Sequence, residues 1–108
     1  MGRHKDAIKV YELALEIDSR DVGVLNNFSW VLATSPDDDV RDGQRSLKLA
    51  KTACELTDHS QSHILSTLAA AYAELGDFEQ ALIWSDKAVE TEAETEKKEI
   101  LEAEGKSY

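Results

Sequence analysis

At 108 residues the chain has room for one modest core and not for a second domain. Its 22 acidic residues against 12 basic ones leave a formal charge of −10, and with no basic patch visible this argues against nucleic acid as a partner. Apolar runs stop far short of the ~20 residues of a membrane helix, which excludes a membrane-spanning role.

The amino terminus has no apolar signal core, so the expectation is a soluble, cytoplasmic protein. The opening MGRHKD is similar to a myristoylation start, but Asp6 occupies the position that requires Ser or Thr. From Asp6 to Ile17, apolar residues at Ala7, Val10, Tyr11, Ala14 and Ile17 keep the three-and-four spacing of one helix face. Asp21 is placed to cap a second helix, which Ser35-Pro36 stops near Thr34 because the residue before proline is pushed out of helical geometry. SPDDDVR is then a loop. Asp42 opens a third helix reaching about Thr57, and Cys54 within it, the one cysteine, suits a small buried residue in a reducing compartment. TDHSQS reads as a polar turn. A fourth helix runs from about Ser62 to Leu75, where Gly76 supplies the left-handed backbone that closes it. Asp77 and Gln80 form a capping box for a fifth helix to about Thr91. A last charged helix is expected over 94–104, ending before Gly105 and acting as a solvating cap. Seven glutamates from Glu90 to Glu104 outweigh Lys97 and Lys98 there; this reads as a solvated face or, less commonly, as a surface for basic contacts.

The chain repeats itself. Three helices end in ALEID (Ala14 to Asp18), ACELT (Ala53 to Thr57) and AVETE (Ala88 to Glu92), and seven residues before each leading alanine stands another small residue, Ala7, Ser46 or Ala81. Small residues seven apart lie on one face, two turns from each other, and let a neighbouring helix approach closely. The preceding helices match as well. LNNFSWVL aligns with LSTLAAAY, with large apolar residues at the first, fourth and eighth places and Ser29 or Ala69 at the fifth. The unit is a helical hairpin.

LSTLAAAYAELGDFEQALIWSDKA resembles the tetratricopeptide repeat pattern, with Leu65, Leu68, Ala69, Tyr72, Gly76, Phe78, Ala81 and Ala88 in register. The segment 22–58 fits with Leu25, Phe28, Ser29, Leu32, Ser46 and Ala53, and carries about five extra residues in the loop 35–41, similar to a bacterial variant of the family. Residues 3–18 resemble the second helix of a truncated repeat, with Gly2 at the turn position, and 62–93 form the last full repeat of a single domain covering 1–108. The repeat-ending proline is replaced by Ser19, Asp58 and Ala93, and the usual aromatic of the second helix by Ala50 and Ser85, which bears on the packing angles between repeats. The resemblance implies an all-α fold, a right-handed superhelical stack of antiparallel hairpins, working as a non-enzymatic scaffold for a protein or peptide.

In such a stack the first helices of each hairpin line the concave groove. Here that places Asn26, Asn27, Trp30, Ala33 and Thr34 beside His63, Ser66, Thr67, Ala70 and Glu74. Amides bond a peptide backbone without regard to its sequence, and an exposed Trp is an apolar anchor; equally, Trp30 packs against the adjoining helix and the asparagines are solvated surface. The lysine and arginine clamp with which family members hold acidic chaperone tails is missing. Ile8, Tyr11 and Leu15, with Ala7 and Ala14, leave an apolar surface on the first helix without a partner upstream, which raises a second reading: a homo-oligomerisation module, a dimer through this end, with no separate groove ligand.

Catalytic and metal constellations are weak. DDDVRDG puts Arg41 where a calcium loop needs a ligand. His59, His63 and Cys54 have only loose zinc spacing, with His59 in a turn, and surface histidines are the default. No Ser, His and acid grouping, phosphate loop or inward carboxylate pair stands out, so no enzyme activity, cofactor or metal is expected.

Overall fold

Aspartates start three of the helices. In the computed structural model, which describes the backbone of residues 3–105 and the side chains of 6–101, Asp21 accepts from the Val24 N–H at 3.2 Å, Asp42 from Arg45 N–H at 3.1 Å and Asp77 from Gln80 N–H at 3.1 Å. Each bond satisfies a donor that the first turn of a helix leaves unpaired. The described residues form five α-helices and no strand: α1 (Arg3–Ile17), α2 (Val22–Thr34), α3 (Gly43–Leu56), α4 (Ser62–Glu74) and α5 (Phe78–Gly105). The turn position expected at Gly2 lies outside the described residues.

Turn chemistry differs at each junction. Gly76 closes α4 with φ +84°, and nothing lies within 4 Å of where its Cβ would be. Glycine is therefore required there by backbone conformation and not by space. Between α3 and α4 the same left-handed region is taken by Asp58 (φ 53°) and His59 (φ 57°). The cost to side-chain-bearing residues is roughly 1–2 kcal/mol each. It is offset by the His59 N–H bond to Cys54 O at 2.8 Å, by Thr57 Oγ1 donating to Ala53 O at 2.8 Å, and by stacking of the His59 ring on Trp84 at 5.6 Å.

Hairpins α2/α3 and α4/α5 stack so that α2 and α4 run beside each other, α3 packs against both, and α5 packs on α4. The core between them holds Leu25, Ala50, Ala53, Cys54, Ile64, Leu65, Leu68 and Ala88. Large side chains come from the first helices of the hairpins and small ones from the second. This division lets α3 and α5 approach closely while Leu and Ile fill the seam. Ser46 and Ala53 are sealed, Ala88 is buried, and Ala7, Ala14 and Ala81 are half-buried on the same strip.

The long α2–α3 loop is packed, not loose. Val40 is 4 % exposed, Asp42 N–H donates to Leu32 O at 2.8 Å, and Arg41 reaches Asp38, Ser35 O (3.0 Å) and Glu74 of α4 (3.0 Å). Partly exposed ion pairs contribute about 0–1 kcal/mol each, whereas burying a Val side chain is worth roughly 1.5 kcal/mol or more. Val40 is therefore the main anchor, and Arg41 sets the position of the loop against α4.

Two expectations are corrected. The fifth helix and the separate cap over 94–104 are one helix, α5, because TEAETEKKEI contains neither glycine nor proline and Ala93 at the expected break is the best helix former. The residues after Thr91 thus continue α5 in line, and every described residue from Glu92 to Leu101 is exposed. The second correction concerns α1. Ile8, Tyr11 and Leu15 do not form an open face: Ile8 is half-buried, Leu15 packs on the core, and the Tyr11 ring lies 5.5 Å from that of Phe28 in α2. What α1 leaves open is the opposite face, Val10, Leu13 and Ile17, the last 88 % exposed.

Candidate functional site

The seam between α2 and α4 opens into a cleft of about 420 Å³. Asn26, Asn27 and Trp30 line it from α2, Ser62, His63, Ser66 and Thr67 from α4, and Glu92 from α5. The lining residues follow i, i+1, i+4 spacing on α2 and i, i+1, i+4, i+5 on α4, the stripe next to the one that carries Leu25 and Phe28, or Leu65 and Leu68, into the core. One hydrophobic pattern therefore fixes both the core and the wall of the cleft.

Six of the ten residues expected in a groove line this cleft: Asn26, Asn27, Trp30, His63, Ser66 and Thr67. The other four do not. Ala33 is buried, Thr34 is exposed with its hydroxyl donating to Trp30 O at 2.7 Å, Ala70 is half-buried, and Glu74 is occupied by Arg41. Ser62 and Glu92 were missed. Counting outward from Gly76 along the antiparallel arms of α4 and α5 brings Ser62 and Glu92 to nearly the same height, and that count was the signal for both.

Trp30 is 47 % exposed, so it does not simply pack against the adjoining helix. Thr67 is buried and spends its hydroxyl proton on His63 O at 3.1 Å. Asn26 carries an unmet polar atom in the wall: its Oδ1 is shut off from solvent and, among the described residues, has no hydrogen-bond partner. An unmet buried acceptor costs about 1–3 kcal/mol. Among the described residues Glu92 is the one carboxylate in the lining, and no Lys or Arg lines the cleft.

Ser62, Ser66, His63 and Glu92 share the cleft, yet among the described residues no hydrogen bond links a serine hydroxyl to His63 or His63 to Glu92. The nucleophile–base contact from which acyl transfer is built is missing. Cys54 is fully enclosed, and burial first, then the charge of Glu55, pushes its thiol up to about 11, which leaves it protonated and inert at neutral pH. No group of three or more His, Cys, Asp or Glu among the described residues is placed to hold a metal ion. Likewise, among these residues no helix is long and apolar enough to cross a membrane. The cleft presents a half-exposed indole, amides, hydroxyls, an imidazole and, among the described residues, one carboxylate.

A family model described as tetratricopeptide repeat matches residues 1–99. No curated protein and no solved structure matches the chain.

Proposed function

From the premise that the chain belongs to the tetratricopeptide repeat family, we propose that it is a protein-interaction scaffold whose α2–α4 cleft receives an extended segment of another protein. The observation that carries this reading is Trp30, nearly half exposed in a lining whose other described residues are amides, hydroxyls, an imidazole and a carboxylate. Solvating an indole on a surface is unfavourable, and a large aromatic among adaptable polar groups is the composition of an interaction hot spot. A photo-crosslinking side chain placed at Asn27 should capture a partner, one placed at the exposed Lys48 of α3 should not, and Trp30→Ala should abolish the capture while leaving helicity unchanged. The same partner at both positions, or capture that survives Trp30→Ala, would remove the cleft from the account.

A second reading, assembly of copies of the chain, has its own observation. The end helices both show apolar stripes: Val10, Leu13 and Ile17 on α1, and Phe78, Leu82 and Val89 on α5, each more than half exposed. α1 packs chiefly on α2 and α5 chiefly on α4, so the stripes belong to opposite ends of the stack and suit a head-to-tail contact. Sedimentation at high micromolar concentration decides it. An oligomer dissolved by Leu13→Asp or Leu82→Asp supports assembly, and a clean monomer refutes it.

A further inference from the structure

Resting on the cleft reading above, we propose that the segment bound there presents a basic side chain, arginine in preference to lysine, between Trp30 and Glu92. The lining settles the sign of the charge. Glu92 brings a carboxylate, and among the described residues no Lys or Arg is there to meet an acidic or phosphorylated ligand. A purely apolar side chain would cover Glu92, Ser62 and Ser66 without giving any of them a donor. A guanidinium supplies what is lacking. It carries several N–H donors on a flat, weakly hydrated group that stacks on an indole face and meets a carboxylate two bonds at a time.

Three further features agree. The formal charge of −10 makes the surroundings attractive to cations and hostile to anions. A volume of about 420 Å³ lies within the range of sites that enclose a side chain and its neighbouring backbone. Of the lysines on α5, Lys87 and Lys98 line a different cleft, with Asp58 and His59, and neither they nor Lys97 is among the described residues that line this one. The continuity of α5 matters here. Had the helix broken near Thr91, Glu92 would have left the wall.

The test uses the whole chain and four fluorescein-labelled pools of short peptides, degenerate in Ala, Leu, Ser and Tyr and identical except for a central Arg, Lys, Gln or Glu. Fluorescence anisotropy should rank them Arg, Lys, Gln, Glu. Arg should bind about fivefold more tightly than Gln, the factor that one part-exposed ion pair supports. Glu92→Gln, a change at an exposed position, should erase the Arg over Gln difference, and added salt should shrink it. Trp30→Ala should weaken every pool. Equal binding of the Arg and Glu pools, or an Arg preference that survives Glu92→Gln, overturns the basic-ligand assignment. If such unselective binding is nevertheless lost in Trp30→Ala, the cleft still stands as the binding site. Binding of no pool, or binding indifferent to Trp30→Ala, overturns both.

Discussion

Ser29 and Ser46 exchange hydrogen bonds across the seam between α2 and α3. The Ser29 hydroxyl donates to the Ser46 carbonyl at 2.7 Å, the Ser46 hydroxyl donates to the Ser29 carbonyl at 2.7 Å, and the two oxygens lie 3.0 Å apart with both residues fully buried. The matching positions of the next hairpin are Ala69 and Ala81, so the fold tolerates either solution provided both residues are small. Ser29→Ala or Ser46→Ala alone should each cost about 1 kcal/mol in urea unfolding, and the double variant less than the sum, because removing both polar groups from a buried seam is cheaper than removing one. Ser46→Leu should cost more than either by overpacking a site with no free volume. Strict additivity of the two alanine changes would contradict the coupling.

An aromatic contact helps to hold α1 on the stack. Tyr11 lies on Phe28, the Arg45 guanidinium carbon sits 4.7 Å from the centre of the same Phe28 ring, and Arg45 pairs with Glu12 of α1 at 3.0 Å. Tyr11→Ala should cost roughly 1–3 kcal/mol and collapse hydrogen-exchange protection within α1 while sparing α4. Glu12→Gln breaks an exposed ion pair and should cost well under 1 kcal/mol. Equal effects of the two changes would mean that the ring contact holds the helix no more firmly than the ion pair does.

Cys54 makes alkaline stability measurable. Burial raises its folded pKa to about 11 from the ordinary 9.0, so between those values the unfolded chain binds fewer protons than the folded one. Stability from this group is intact below about pH 9 and is lost as pH rises toward about 11, by up to roughly 2–3 kcal/mol. The urea midpoint of the wild type should therefore fall more steeply from pH 8.5 to pH 10.5 than that of Cys54→Ala; parallel slopes would show that the thiol titrates as it does in the open chain. At neutral pH a thiol reagent should label Cys54 only as fast as the core opens.

Much of the fold could be read from the chain because its signals are local. Asp21, Asp42 and Asp77 each meet a backbone N–H three residues away, Ser35-Pro36 ends α2, Gly76 takes a conformation closed to other residues at little cost, and Ala53 and Ala88 mark the close-packed strip. All-α hairpins of the tetratricopeptide repeat family follow from these features. The break expected near Thr91 failed for the same reason that the others held: no residue there stops a helix, and a repeat length carried over from elsewhere in the chain is not a physical stop signal.

The cleft was half legible. Periodicity alone brought Asn26, Asn27 and Trp30 to the face shared with His63, Ser66 and Thr67, since each helix fixes its own faces. Glu92 belongs to the second helix of its hairpin and reaches the wall only through the height at which α5 passes α4. Glu74 was taken out of the wall by Arg41, thirty-three residues away in sequence. Which side of α1 is covered was decided likewise by the docking of Tyr11 on Phe28, leaving Val10, Leu13 and Ile17 outside. Capping, turn and periodicity signals act within one or two turns, so the amino-acid order alone determined where helices begin and which residues share a face. The angle and height at which one helix crosses another depend on side chains from both meeting in three dimensions, and only the tertiary structure could decide those.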